Sequence, residues 1–184
     1  MIESKIVNFF KDVNVPYAIY GNFNFVAGEN EDIDVLIQER NFTQVKDYLI
    51  HNDLSFHERE YYPGQIFVTG TEIKIHVTKD LFIGGRRVAY LLKLSLIDDL
   101  ISNSISWNSY KIINLQGYVK YRRIKKIFNS KKDLKITEYP TELSSDTKET
   151  INNIELIIFT LKILIQNSMF IIPRFLKKRV WVRL

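Results

Sequence analysis

The chain has 184 residues, 46% of them hydrophobic and 13% aromatic, which excludes global disorder and allows one domain, or one domain with an appendage. It has no cysteine, which excludes disulfides, thiolate nucleophiles and Cys-type zinc sites. The net charge of +5 is uneven: residues 1–80 carry 7 Lys/Arg against 13 Asp/Glu, and residues 81–184 carry 19 against 8. An acidic front and a basic back suit a cation beside a polyanion, or simply two differently solvated surfaces.

Ile2, Ile6, Phe9 and Phe10 recur at helical spacing, and Pro16 bars continuation. Tyr17 to Tyr20 reads as a strand ending at Gly21, residues 22–31 as a loop, and Ile33 to Ile37 as the next strand. Asn41 is the expected N-cap of a helix over FTQVKDYLIHND, whose Phe42, Val45, Tyr48 and Leu49 share a face. Strands over 54–61, 65–69 and 72–78 follow, with Pro63-Gly64 and Gly70-Thr71 as the turns between them. In the last of these, Glu72, Lys74 and His76 share one face and Ile73, Ile75 and Val77 the other, the mark of a half-buried strand.

Ser95 is expected to cap a helix over LIDDLISNSI; Lys111 to Leu115 suggests a strand and GYVKYRRIKKIF a helix. Residues 129–150 are polar and read as a linker, and Ile151 to Ile172 as an apolar helix ending before Pro173. The division expected is a domain over 1–128, a linker over 129–150, and an apolar helix with a basic tail over 151–184.

The run Asp32-Ile33-Asp34-Val35 carries the chemistry. Side chains at i and i+2 of a strand share a face, so Asp32 and Asp34 stand side by side while Ile33 and Val35 enter the core. Adjacent like charges are unfavourable unless a cation lies between them. Oxygen ligands on a strand suit Mg²⁺ or Mn²⁺, with coordination positions left for water and substrate phosphates. The plain alternative is an Asp-rich entry from loop to strand.

Tyr20-Gly21-Asn22, nine further residues, then Asp32-Ile33-Asp34-Val35 resembles the signature of the nucleotidyltransferase superfamily related to DNA polymerase beta. The resemblance covers roughly residues 5–115. It implies an α/β (α+β) fold: a short mixed sheet flanked by helices, here with a C-terminal helical appendage. It also implies a Gly turn, Gly21 and Asn22, that cradles phosphate, and an Asp pair that holds Mg²⁺ or Mn²⁺. The reaction implied is transfer of a nucleotidyl group from an NTP to a hydroxyl or phosphate acceptor. Asn22 stands where the family usually has Ser. His76 stands where many relatives have a third acid, and it could accept a proton or ligate metal, or be a packed strand histidine. TKDLFIGGRRVAYLL looks like nucleotidyltransferase-like proteins of bacterial surface-polysaccharide gene clusters, which implies a phosphate contact for Arg86.

Two basic stretches remain. KYRRIKKIFNSKK (120–132) could track a nucleic acid but more readily forms a solvated helix face. The apolar helix and the basic tail after it could lie on an anionic membrane surface, pack on the domain, or meet a second copy in a homo-oligomer. No signal peptide is recognisable, and a cytoplasmic location, at most peripheral to the inner membrane face, is expected. Two other functions stay open: a degenerate member that binds nucleotide or sugar-phosphate without turnover, and an assembly or membrane protein acting through its tail.

Overall fold

The computed structural model describes residues 2–21, 23, 32–58, 64–69, 74–84, 88–92, 94–128, 139–143, 161 and 180–183. In chain order these form α1 (Ile2–Val13), β1 (Tyr17–Gly21), β2 (Asp32–Ile37), α2 (Phe42–His51), β3 (Phe56–Glu58), β4 (Gln65–Val68) and β5 (Lys74–Thr78). Then come β6 (Phe82–Gly84), β7 (Val88–Leu91), α3 (Leu94–Ser102), β8 (Ile105–Trp107), β9 (Tyr110–Ile112), α4 (Leu115–Phe128) and β10 (Val180–Arg183). The fold is mixed α/β, of the α+β kind.

The main sheet has seven strands in the order β3-β4-β5-β2-β1-β9-β8, and a second sheet has the order β10-β7-β6. β2 lies inside the main sheet, antiparallel to β1 and parallel to β5. Its burial explains its sequence. Ile33 and Val35 are fully buried on one face, and Leu36 and Ile37 are fully buried too, so both faces are covered at the C-terminal end of the strand. Among the described side chains of β2, the other face opens at Asp34. Phe9, Phe10 and Val13 of α1, Val45 and Leu49 of α2, and Ile97, Leu100 and Ile101 of α3 join the same core. The Gln44 amide of α2 donates to the Val13 carbonyl at 2.8 Å, tying α2 to the end of α1.

Several local expectations need correction. Asn41 precedes α2 but makes no side-chain cap bond, because it closes a 3₁₀ turn over Glu39–Asn41 and has helical dihedrals itself. Ser95 lies inside α3, which begins at Leu94. The helix expected to run to Ile105 stops at Ser102; Ile105 instead opens β8, which pairs with β9 through a turn at Asn108 (φ 46°) and Ser109 (φ 70°). Two positive φ angles in a two-residue loop are what a type I′ hairpin needs. The strand expected over 54–61 is described only at Phe56–Glu58. α4 begins at Leu115, and the Asn114 side-chain oxygen accepts from the Gly117 N–H at 2.7 Å, the cap that holds its first turn.

β4 and β5 form the expected antiparallel pair, while their turn residues 70–73 lie outside the described residues. The linker over 129–150 is described only at 139–143, and the apolar helix over 151–172 only at Leu161, which is exposed. Val180–Arg183 of the basic tail is a strand, parallel to β7. No described helix is long and apolar enough to cross a membrane.

Candidate functional site

Parallel pairing sets Asp34 of β2 directly beside His76 of β5. The two side chains touch, with His76 Nδ1 3.3 Å from Asp34 Oδ1. Both stand part-exposed on the face opposite Ile33, Val35, Ile75 and Val77, all of which are buried. One step along the same face the opening closes, because Leu36 and Thr78 pair there and both are buried. That row closes the site on its C-terminal side.

The row of Asp34 and His76 continues on both sides. On β1 the register shifts between Ile19, opposite Val35, and Gly21, opposite Asp34, so Tyr20 is the extra residue of a bulge. A Cβ at Gly21 would come 3.3 Å from Asp34 Oδ2, so glycine spares this carboxylate a tight contact as β1 passes it. On the other side Phe67 of β4 pairs with His76, its ring centre 4.1 Å from the imidazole and tilted 61°. His57 of the edge strand β3 stacks on Phe67 at 5.1 Å. The imidazole is thus held between an aromatic edge and a carboxylate. A proton on Nδ1 directed at Asp34 makes Nε2 the acceptor nitrogen of the ring.

Asp34 and His76 line a cleft of about 200 Å³, room for a phosphate group with a hydrated cation. Its other wall comes from α4, where Tyr121 meets Tyr20 edge-on at 5.8 Å and Lys125 places its Nζ 5.6 Å from the centre of the Tyr121 ring. Burial, with the Asp34 charge as the next cause, raises the phenols of Tyr20 and Tyr121 well above the ordinary tyrosine range. Both phenols are therefore neutral near neutral pH.

That shift has a measurable sign. A tyrosine in the unfolded chain loses its proton near pH 10, whereas folded Tyr121 keeps it, so stability falls as pH rises above about 10. Melting temperatures at pH 9, 10 and 11 should therefore decline less steeply in Tyr121→Phe than in the wild type. Parallel declines in the two proteins would show that Tyr121 is not the group responsible.

The structure thus brings together Gly21, Asp34 and His76. Asp32 lies on β2 opposite Lys74, with its side chain outside what is described, and Asn22 and Arg86 lie outside the described residues altogether. Among the described residues no group of three or more His, Asp or Glu side chains could by itself hold a metal ion. Sequence reading missed Tyr20, Tyr121, Lys125 and Asp80, which also line the cleft. Lys125 carried a signal, the basic run of α4, but nothing local ties that run to a carboxylate ninety residues earlier.

No family model matches the chain, and no curated protein matches it. Among solved structures, the solution structure of the antibiotic-resistance factor ANT(2'')-Ia is similar over 91% of this chain and 91% of that chain, at 9% identity and a TM-score of 0.44. A tRNA-processing enzyme complex is similar over 65% of this chain and 36% of that chain, at 14% identity and a TM-score of 0.37. At such low identity and TM-score, neither likeness says what this chain does.

Proposed function

We propose that the chain is a metal-dependent nucleotidyltransferase that moves a nucleotidyl group from an NTP to a hydroxyl or phosphate acceptor. The observation that carries the reading is the Asp34–His76 contact across two parallel strands, set against a glycine on a third strand that spares the same carboxylate a tight contact. The donor set fits a divalent cation. Asp34, with Asp32 two residues before it on the same strand, offers carboxylate oxygen, which suits Mg²⁺ or Mn²⁺ and leaves His76 to act as the base. When bound, the ion would neutralise the triphosphate oxygens and favour departure of pyrophosphate.

The chain's own residues supply the rest. Lys125 meets phosphate charge from the α4 side, and the neutral phenols of Tyr20 and Tyr121 donate hydrogen bonds into the cleft. For a hydroxyl acceptor, His76 Nε2 takes the proton as the acceptor oxygen bonds to the α-phosphorus and the bond from that phosphorus to the bridging oxygen breaks. A role in surface-polysaccharide synthesis, with Arg86 and Asn22 as further phosphate contacts, would refine the reading.

One observation favours a second reading. A protonated His76 would itself neutralise Asp34, so the same contact would serve a protein that holds a nucleotide without turnover. One experiment separates the two: titrate ATP, CTP, GTP and UTP with Mg²⁺ or Mn²⁺ by calorimetry, then assay pyrophosphate release over a panel of acceptors. Metal-dependent binding with release supports the transferase, and binding without release supports the holder. Absence of binding by folded protein eliminates both.

A further inference from the structure

Asp80 follows β5 at the edge of the same cleft, and its side chain is 4% exposed. A buried carboxylate facing an anion site is costly unless it is compensated. Three contacts fix this one. Arg183 of β10 places a guanidinium nitrogen 2.7 Å from Asp80 Oδ1 and donates a second bond to the Leu92 carbonyl at 3.3 Å. Asp80 Oδ2 packs where a Cβ on Gly64 would lie, 2.7 Å away, and Gly64 has a φ of 80° that suits glycine alone. The backbone of Asp80 is held by the Thr78 hydroxyl, which donates to its carbonyl at 2.7 Å and accepts from its N–H at 3.2 Å.

We propose that Arg183 is a positioning residue of the cleft: it compensates the Asp80 carboxylate and holds it fixed, so that the cleft accepts an anionic ligand. Without Arg183, a second negative charge joins Asp34 in the cleft, opposing phosphate and competing for the cation. The inference rests on the nucleotide reading for the nature of the anion. The pairing of β10 with β7 puts the guanidinium there. A strand from the basic tail thus reaches the cleft through its contact with Asp80.

The test compares wild type, Arg183→Met, Arg183→Lys and Arg183→Met/Asp80→Asn for binding of Mg·ATP by calorimetry, at a temperature where circular dichroism shows each to be folded. Arg183→Met should weaken binding by at least about tenfold, while Arg183→Lys and the double variant should stay within about threefold of wild type. Recovery in the double variant is the decisive readout. A purely structural anchor would still be missing there, whereas an uncompensated charge would not. If Arg183→Met does not fold, Arg183→Lys and the double variant decide. Wild-type affinity in Arg183→Met, or a double variant bound no better than Arg183→Met, overturns the proposal alone. A wild type that binds no nucleotide overturns it together with the nucleotide reading.

Discussion

Asp34→Asn should weaken metal-dependent NTP binding on the order of a hundredfold or more while leaving the melting temperature within a few degrees of wild type. The two halves of this expectation have separate physical grounds. An amide keeps the shape of the carboxylate but offers one neutral oxygen where a divalent ion needs charge. Stability hardly changes, because the Asp34 side chain is 36% exposed and a part-exposed polar contact with His76 contributes only about 0–1 kcal/mol. Gly21 leaves room for the amide as it does for the acid. Calorimetry and a thermal melt on one preparation check both halves. An unchanged affinity would move the metal away from Asp34, and a collapsed melting temperature would recast Asp34 as a structural residue.

Ile33→Ala should show the opposite profile. Ile33 is fully buried on a strand with neighbours on both sides, so truncating it leaves a cavity that the flanking strands β1 and β5 cannot collapse to fill. The expected loss is about 3–4 kcal/mol, a large share of the roughly 5–15 kcal/mol that holds an ordinary domain together. At a few degrees per kcal/mol for a chain of this size, the melting temperature should fall by about 6–15 °C. Ile50, 59% exposed on α2, is the control: its alanine variant should lie within about 0.5 kcal/mol of wild type. Urea unfolding of both variants, with unchanged slopes, measures the difference. Equal losses would mean that β2 is not the centre of the core. The two predictions meet on adjacent residues: Ile33 faces the core and Asp34 faces the cleft.

How much of this was legible in the sequence depended on whether the information was local. The alternation through Ile33 and Val35, and through Ile75 and Val77, is a property of each strand alone, and both strands form where the pattern puts them. His76 was singled out through the family resemblance, and β5 pairs with β2 so that His76 lies beside Asp34. The β8–β9 hairpin was hidden because Ile97, Ile101 and Ile105 keep helical spacing past the true end of α3. The better signal was Asn108-Ser109, which tolerates the positive φ angles found there. Tyr20 reaches the cleft through a bulge, a register fault that no hydrophobic pattern announces. Asp80 looked like one more acid in an acidic half, and Arg183 like one more base in a basic tail. Only a pairing across 103 residues makes them partners.

That separation also orders events in time. β3 with β4, β6 with β7, and β8 with β9 close over short loops and can form early. β1 with β9 and β7 with β10 each join positions more than ninety residues apart, where loop-closure entropy must be met before any contact rewards it. Strand β10 is therefore among the slowest parts of the protein to assemble. A molecule that has formed its hairpins and helices but not yet docked β10 would already show much of the native far-ultraviolet signal, with Asp80 still bare in an unfinished cleft.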